Sequence, residues 1–272
     1  ESTVSAARIV NAAGPWVDQL LGRALPGERH QNLRLVKGSH LIFPRLFEGE
    51  HCYIFQNRDG RIIFANIRKF VVYLMSCNLA EIIAVGSAAV AALALPLLPL
   101  QILFLNVVTG VFPALALGVS EGKQGEMKRP PRPPDEPIVG RKHWLWITGY
   151  AAIIGVTVLG SFIIAGRVMG LSGIPRVTVS FLTLALGRLW HVFNMRDGDS
   201  GFLDNPVVRN RFVWGAIALC LILIMSVVYI PGLREIMGTA PPEPTHWYLI
   251  AAMSLIPFVA GQAMKFTGAD RL

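Results

Sequence analysis

The sequence predicts a mainly α protein, a six-transmembrane-helix bundle preceded by a small N-terminal α/β (α+β) fragment. Three observations predict it. Of 272 residues, 53% are hydrophobic and only 15% are charged, where a soluble domain carries about a quarter charged. The charge is uneven: residues 1–66 hold 14 charged side chains, about one in five, and the rest of the chain about one in seven. Six apolar runs then follow at 70–95, 100–118, 144–165, 177–194, 212–230 and 247–264, each long enough to cross a bilayer.

Residues 1–65 read as soluble sequence. Residues 7–10 form a short strand candidate, Asn11-Ala-Ala-Gly-Pro15 a turn, and 16–25 a stretch of helical spacing. Strands are expected at 33–36 and 41–43, on either side of Lys37-Gly-Ser-His40. Residues 53–56 and 61–65 flank Asn57-Arg-Asp-Gly60, a hairpin turn signal. The chain opens on Glu1 without the basic-then-apolar pattern of a signal peptide, and is expected to be a fragment of a longer gene product. Cys52, Cys77 and Cys220 have neither paired nor metal-like spacing.

Beyond residue 66 the organisation is that of a membrane bundle, since backbone in lipid must satisfy its own hydrogen bonds. Pro96 and Pro99 make a tight first turn, and the largest loop, 119–143, is rich in proline and basic residues. The formal charge of +8 is no nucleic-acid signature, because the basic residues flank apolar runs. Lys123, Lys128, Arg129, Arg132, Arg141, Lys142, Arg196, Arg209, Arg211, Lys265 and Arg271 fall on one side, against Arg167, Arg176 and Arg234 on the other. That asymmetry places both termini and the long loop in the cytoplasm. Glycines 149, 155, 160 and 166 are expected to be packing contacts. Trp144, Trp146 and Trp247 at span ends are expected to be interfacial anchors.

The side chains that carry chemistry are the polar ones at membrane depth. Asn78 and Glu81 are three apart in the first run and share a helix face. Glu81 lies roughly 17 Å along the helix, near the bilayer centre. A charge there costs at least ~2.5 kcal/mol, so it must face the interior with a partner or a role. Asn106 and Thr109 share a face of the second run, ahead of Gly110 and Pro113. A helix interrupted there frees carbonyls that can coordinate cations. Arg188 and His191 share a face of the fourth, where Arg188 can neutralise Glu81 as an internal ion pair. Both a cation site and plain interhelical bonding stay open for Asn106 and Thr109.

Asn66-Ile-Arg-Lys-Phe70, followed by Ser76-Cys-Asn-Leu-Ala-Glu81, resembles the fifth membrane helix of a P-type cation-transporting ATPase of the calcium-pump type. Pro96-Leu-Leu-Pro-Leu-Gln-Ile-Leu-Phe-Leu-Asn106 and Thr109-Gly-Val-Phe-Pro113 resemble the sixth, and Met127-Lys-Arg-Pro-Pro-Arg132 the loop after it. The resemblance covers about 60–272. It implies a membrane cation site built from Asn78, Glu81, Asn106 and Thr109, with no other metal site. Gly110 stands where calcium pumps place an aspartate, and Arg188 where they often have an acidic residue. Those departures argue against a hard divalent site, which wants several carboxylates. A monovalent ion, a proton or a degenerate site fits better. The family's phosphorylated Asp-Lys-Thr-Gly-Thr motif does not occur in the sequence, so pumping by this chain alone is not expected.

Asn11-Ala-Ala-Gly-Pro-Trp-Val-Asp18, Leu35-Val-Lys-Gly-Ser-His40 and Tyr53-Ile-Phe-Gln-Asn57 resemble the middle of an FAD-dependent glycerol-3-phosphate dehydrogenase. That resemblance implies Asn11 and Gly14 near a flavin and His40 near the substrate. The Gly-x-Gly-x-x-Gly turn that holds the FAD pyrophosphate has no counterpart. The two resemblances meet at Gly60-Arg61-Ile-Ile-Phe-Ala65, which suits both parents, and a recombination or assembly join is expected there. The domains expected are therefore 1–65, an oxidoreductase fragment, and 66–272, an ATPase C-terminal membrane domain. The function expected is part of a cation pathway in a bacterial plasma membrane. The alternatives are a membrane-anchored oxidoreductase fragment or an inert chimera. No cofactor is expected for this chain alone, FAD and ATP with Mg belonging to the intact parents. Its partners would be the lipid bilayer, a transported cation and a chain supplying the missing ATPase domains, with no nucleic acid.

Overall fold

A computed structural model describes residues 59–119, 137–196, 201 and 204–266, all within one compact unit, Gln56–Leu272. The expectations for residues 1–58, including Asn11, Gly14 and His40, lie outside the described residues, as does most of the proline-rich loop.

The strand expected at 61–65 is overturned. Asp59–Val90 is one helix of 32 residues, α1. Ile62 and Ile63 favour a strand locally, but they run without a break into a long apolar helix. Extending an existing helix costs far less than nucleating a new element. α1 stops at Val90, short of the expected residue 95. Ala92 adopts φ 51°, and the Leu93 N–H returns to the Ala88 carbonyl at 2.9 Å, a left-handed C-terminal closure. Pro96 then keeps the chain extended.

The second run is α2 (Pro99–Leu105), a π-helical segment (Asn106–Val111) and α3 (Phe112–Gly118). The helix is widened here rather than opened, so the expected interruption lies one turn before Pro113. Gln101, fully buried, caps the start of α2 by accepting from the Leu98 N–H at 3.1 Å. Asn66 and Asn210 donate to the Gly118 and Ala116 carbonyls at 3.1 and 2.9 Å, covering acceptors at the end of α3.

α4 (Arg141–Arg167) packs along α1, and α5 (Gly173–His191) runs on into a 3-10 turn, Val192–Met195. α6 (Pro206–Arg209) leads into α7 (Arg211–Tyr229), α8 (Pro231–Met237) and α9 (Pro244–Phe266). Asn205 and Asn210 cap α6 and α7 through side-chain oxygens. α8 closes on Gly238 at φ 60°. There are no strands among the described residues.

Among the described residues, five helices are long and apolar enough to cross a membrane: Phe64–Val90, Pro99–Gly118, Arg141–Arg167, Arg211–Tyr229 and Pro244–Lys265. α5, expected as a sixth span, is present but does not meet that apolar criterion. Its surroundings explain its composition. From Thr178 to His191 no residue of α5 is exposed, because α4 and α9 pack around it. A helix surrounded by protein can carry serine, threonine and arginine, whereas the outer helices present Ile82, Leu145, Val156 and Tyr248 outward.

Of the expected packing glycines, Gly155 is the tightest against backbone. A Cβ there would sit 2.8 Å from Ile83 Cγ2 and 3.1 Å from the Ala80 carbonyl, so α1 and α4 touch nearly backbone to backbone. Gly160 and Gly166 face Met253 and the Arg176 guanidinium similarly, while Gly149 has ordinary clearance.

Thermal melting in detergent checks two consequences. Gly155→Ala forces the α1–α4 pair apart and should cost about 1–3 kcal/mol. Ala92→Gly relieves a left-handed backbone and should gain about 0.5–1 kcal/mol.

Candidate cation site

The four residues expected to ligate a cation converge, and they converge on Arg188. α1 carries Asn78 and Glu81 one turn apart, the π-helical segment carries Asn106 and Thr109, and α5 brings in the guanidinium. Arg188 Nη2 lies 3.2 Å from Glu81 Oε1. It donates to Asn106 Oδ1 at 3.0 Å and to Asn78 Oδ1 at 3.3 Å. Nη1 donates to Thr109 Oγ1 at 3.3 Å. Arg188 is fully buried and Glu81 is 5% exposed. The Glu81–Arg188 contact is one of charge rather than an aligned hydrogen bond, since Glu81 Oε1 and Arg188 Nε make none. Asn78 reaches the guanidinium from the exposed side.

The local backbone explains the aim of these oxygens. Pro113 has no N–H to give the Thr109 carbonyl four residues back. Tyr73 from α1 donates to that carbonyl instead, at 2.6 Å. The Thr109 hydroxyl commits its proton to the Leu105 carbonyl at 2.8 Å, leaving its lone pairs to accept from Arg188. The carbonyl that the proline frees is therefore occupied by tyrosine.

Behind the guanidinium lies a polar layer that the sequence did not single out, apart from His191. His191 is 4.6 Å from Tyr150, ring to ring, and 5.9 Å from Tyr73. Ser76 donates to the Val72 carbonyl, so its oxygen accepts from His191 Nε2 at 3.2 Å. Asn194 donates to His191 Nδ1 at 3.3 Å and to the Pro257 carbonyl at 3.0 Å. The neutral Nε2–H tautomer satisfies both contacts. Gln262 donates to Asn194 Oδ1 at 2.8 Å. Gly261 makes room, since a Cβ there would meet Asn194 Nδ2 at 2.3 Å. A glutamine inside the last apolar run was the available signal. Tyr73 and Ser76 gave none, because both are common in spans.

A divalent calcium ion takes six to eight oxygens at about 2.3–2.6 Å, several of them carboxylate. Here one carboxylate and three neutral oxygens surround a fixed +1 charge. No group of three or more His, Cys, Asp or Glu that could hold a metal occurs among the described residues. The oxygens expected to face a cation are turned to the Arg188 guanidinium instead.

Residues 94–267 match the family described as cation transporting ATPase, C-terminus. The chain belongs to that family. Residues 1–165 match FAD dependent oxidoreductases, an oxidoreductase-like N-terminal part joined to the ATPase domain. The two matches overlap over 94–165, where the described residues form helices joined by short bends, with no strand. The chain is 38% identical over 200 residues to the calcium-transporting ATPase of Bacillus subtilis, covering 74% of this chain and 22% of that protein. It is 32% identical over 207 residues to calcium-transporting ATPase lmo0841 of Listeria monocytogenes, covering 76% and 23%. It is 26% identical over 247 residues to the endoplasmic reticulum calcium ATPase srcA of Aspergillus fumigatus, covering 76% and 24%. The chain thus spans less than a quarter of the length of these relatives.

Removing one partner of a buried ion pair leaves the other charge uncompensated. Glu81→Gln and Arg188→Met should each cost about 3–5 kcal/mol in detergent melting, and the double variant clearly less than their sum. Additive losses would show that the pair is not coupled.

Proposed function

We propose that residues 66–272 form the membrane portion of a P-type cation-transporting ATPase in which Arg188 occupies one cation position permanently. The observation that carries this reading is the convergence of Asn78, Glu81, Asn106 and Thr109 on one guanidinium. In this reading α5 is the sixth membrane crossing. Its polar composition is tolerated because protein rather than lipid surrounds it. Both termini face the cytoplasm of a bacterial plasma membrane, following the excess of lysine and arginine on that side. Phosphoryl transfer would come from parts or chains carrying the acceptor aspartate and the ATP and Mg sites.

With Glu81 neutralised, a second cation arriving at these oxygens meets repulsion from Arg188 without a matching carboxylate. The arrangement suits a pump whose neighbouring positions carry the transported ion, and the relatives' printed names point to calcium for those proteins. In lipid nanodiscs, alkali or calcium ions should leave the melting temperature of the unaltered chain unchanged. Arg188→Ala should become stabilised by added cation, and Arg188→Lys should restore indifference. Micromolar calcium binding by the unaltered chain would overturn the reading.

A second reading rests on the match of residues 1–165 to FAD dependent oxidoreductases, with glycerol 3-phosphate as substrate by resemblance. The described part of that range consists of apolar helices with no strand, and it offers no strand–turn–helix for a pyrophosphate. Flavin does not fit the described residues. A peptide spanning Gly60 to Arg68, found by mass spectrometry in source membranes, would show that the two parts are expressed as one chain. Absence of that peptide, with both parents detected separately, would make the fusion an artefact.

A further inference from the structure

Two side chains outside the set that faces Arg188 reach the π-helical segment from two different helices. Tyr73 of α1 donates to the Thr109 carbonyl at 2.6 Å, and Cys220 of α7 donates to the Val108 carbonyl at 3.3 Å. Both side chains are fully buried. Their targets follow from the position of the proline. An α pattern pairs the Thr109 carbonyl with the N–H of residue 113, and a π pattern pairs the Val108 carbonyl with that same N–H. Residue 113 is proline and has none. The change from π to α pattern at Phe112 therefore meets the proline with two neighbouring carbonyls short of a backbone donor. Those are the two carbonyls that Tyr73 and Cys220 cover, as a buried acceptor requires.

The segment held in this way carries Asn106 and Thr109, both aimed at Arg188. Losing the extra residue of the widened turn would shift the register by one residue, roughly 100° of rotation. That is enough to take one of the two oxygens off the guanidinium. The Tyr73 hydroxyl also lies 3.5 Å from the Arg188 carbonyl, so one atom touches the π-helical segment and the backbone of α5.

We propose that Tyr73 and Cys220 are positioning residues that fix the π register and so point Asn106 and Thr109 at the position Arg188 fills. The inference rests on the reading of those oxygens as a cation position. The full chain in lipid nanodiscs tests it by melting. The loss caused by Tyr73→Phe should shrink when Arg188→Met or, in a second cycle, Asn106→Ala removes one end of the aimed contact. Additive losses in both cycles would overturn the proposal, since a hydroxyl that only stabilises the helix is indifferent to Arg188 and Asn106. In the Arg188→Ala chain, adding Tyr73→Phe should raise the cation concentration at half-stabilisation about fivefold. Cys220→Ala should raise it about twofold, the thiol being a weak donor, and Cys220→Ser, which keeps a donor there, should restore it. An unchanged half-point with Tyr73→Phe would overturn the positioning role and leave the cation reading standing. If Arg188→Ala gains nothing from cations, the cation reading fails, and the two cycles still decide the role of Tyr73.

Discussion

The Arg188 guanidinium is the constraint around which the bundle is arranged. A charge this deep needs compensation from every side, because lipid and apolar side chains offer none. It receives a carboxylate and an amide from α1, and an amide and a hydroxyl from the π-helical segment. These partners tie three elements to one point. α5 has to lie inside the bundle for that to happen, and its composition from Thr178 to His191 reflects full enclosure by protein.

The π-helical segment and Pro113 act together. Widening the helix over Asn106–Val111 alters where the side chains point, and the proline leaves a carbonyl for Tyr73 to cover. The polar layer of His191, Asn194 and Gln262 then ties α5 to α9, and Gly261 lets it close. Arg188, His191, Asn194 and Gln262 thus each find partners on another helix. The network therefore specifies which helices are neighbours more than it adds net stability.

A site with one carboxylate and a tethered cation differs from a divalent-ion cage in a way that follows from charge alone. Four oxygens already face a guanidinium here, an arrangement compatible with membership of the cation-transporting ATPase family. The relatives named here are calcium pumps, and this chain represents less than a quarter of their length.

Much of this was legible in the primary structure. Long apolar runs fix where helices must lie, since unpaired backbone cannot exist in lipid, and Glu81, Asn106 and Arg188 stand out because polar groups at that depth are costly. The strand expected at 61–65 failed because local β-propensity yields to the continuity of a long helix. α5 escaped the apolar criterion because only packing decides whether a helix faces protein or lipid. Tyr73, Ser76 and Asn194 carry no signal until the fold brings their partners within 3.5 Å. The sequence by itself determined which side chains had to be compensated. The tertiary structure alone decided by what, because hydrogen bonds and charge pairs are short-ranged and partners such as Ser76 and His191 lie 115 residues apart.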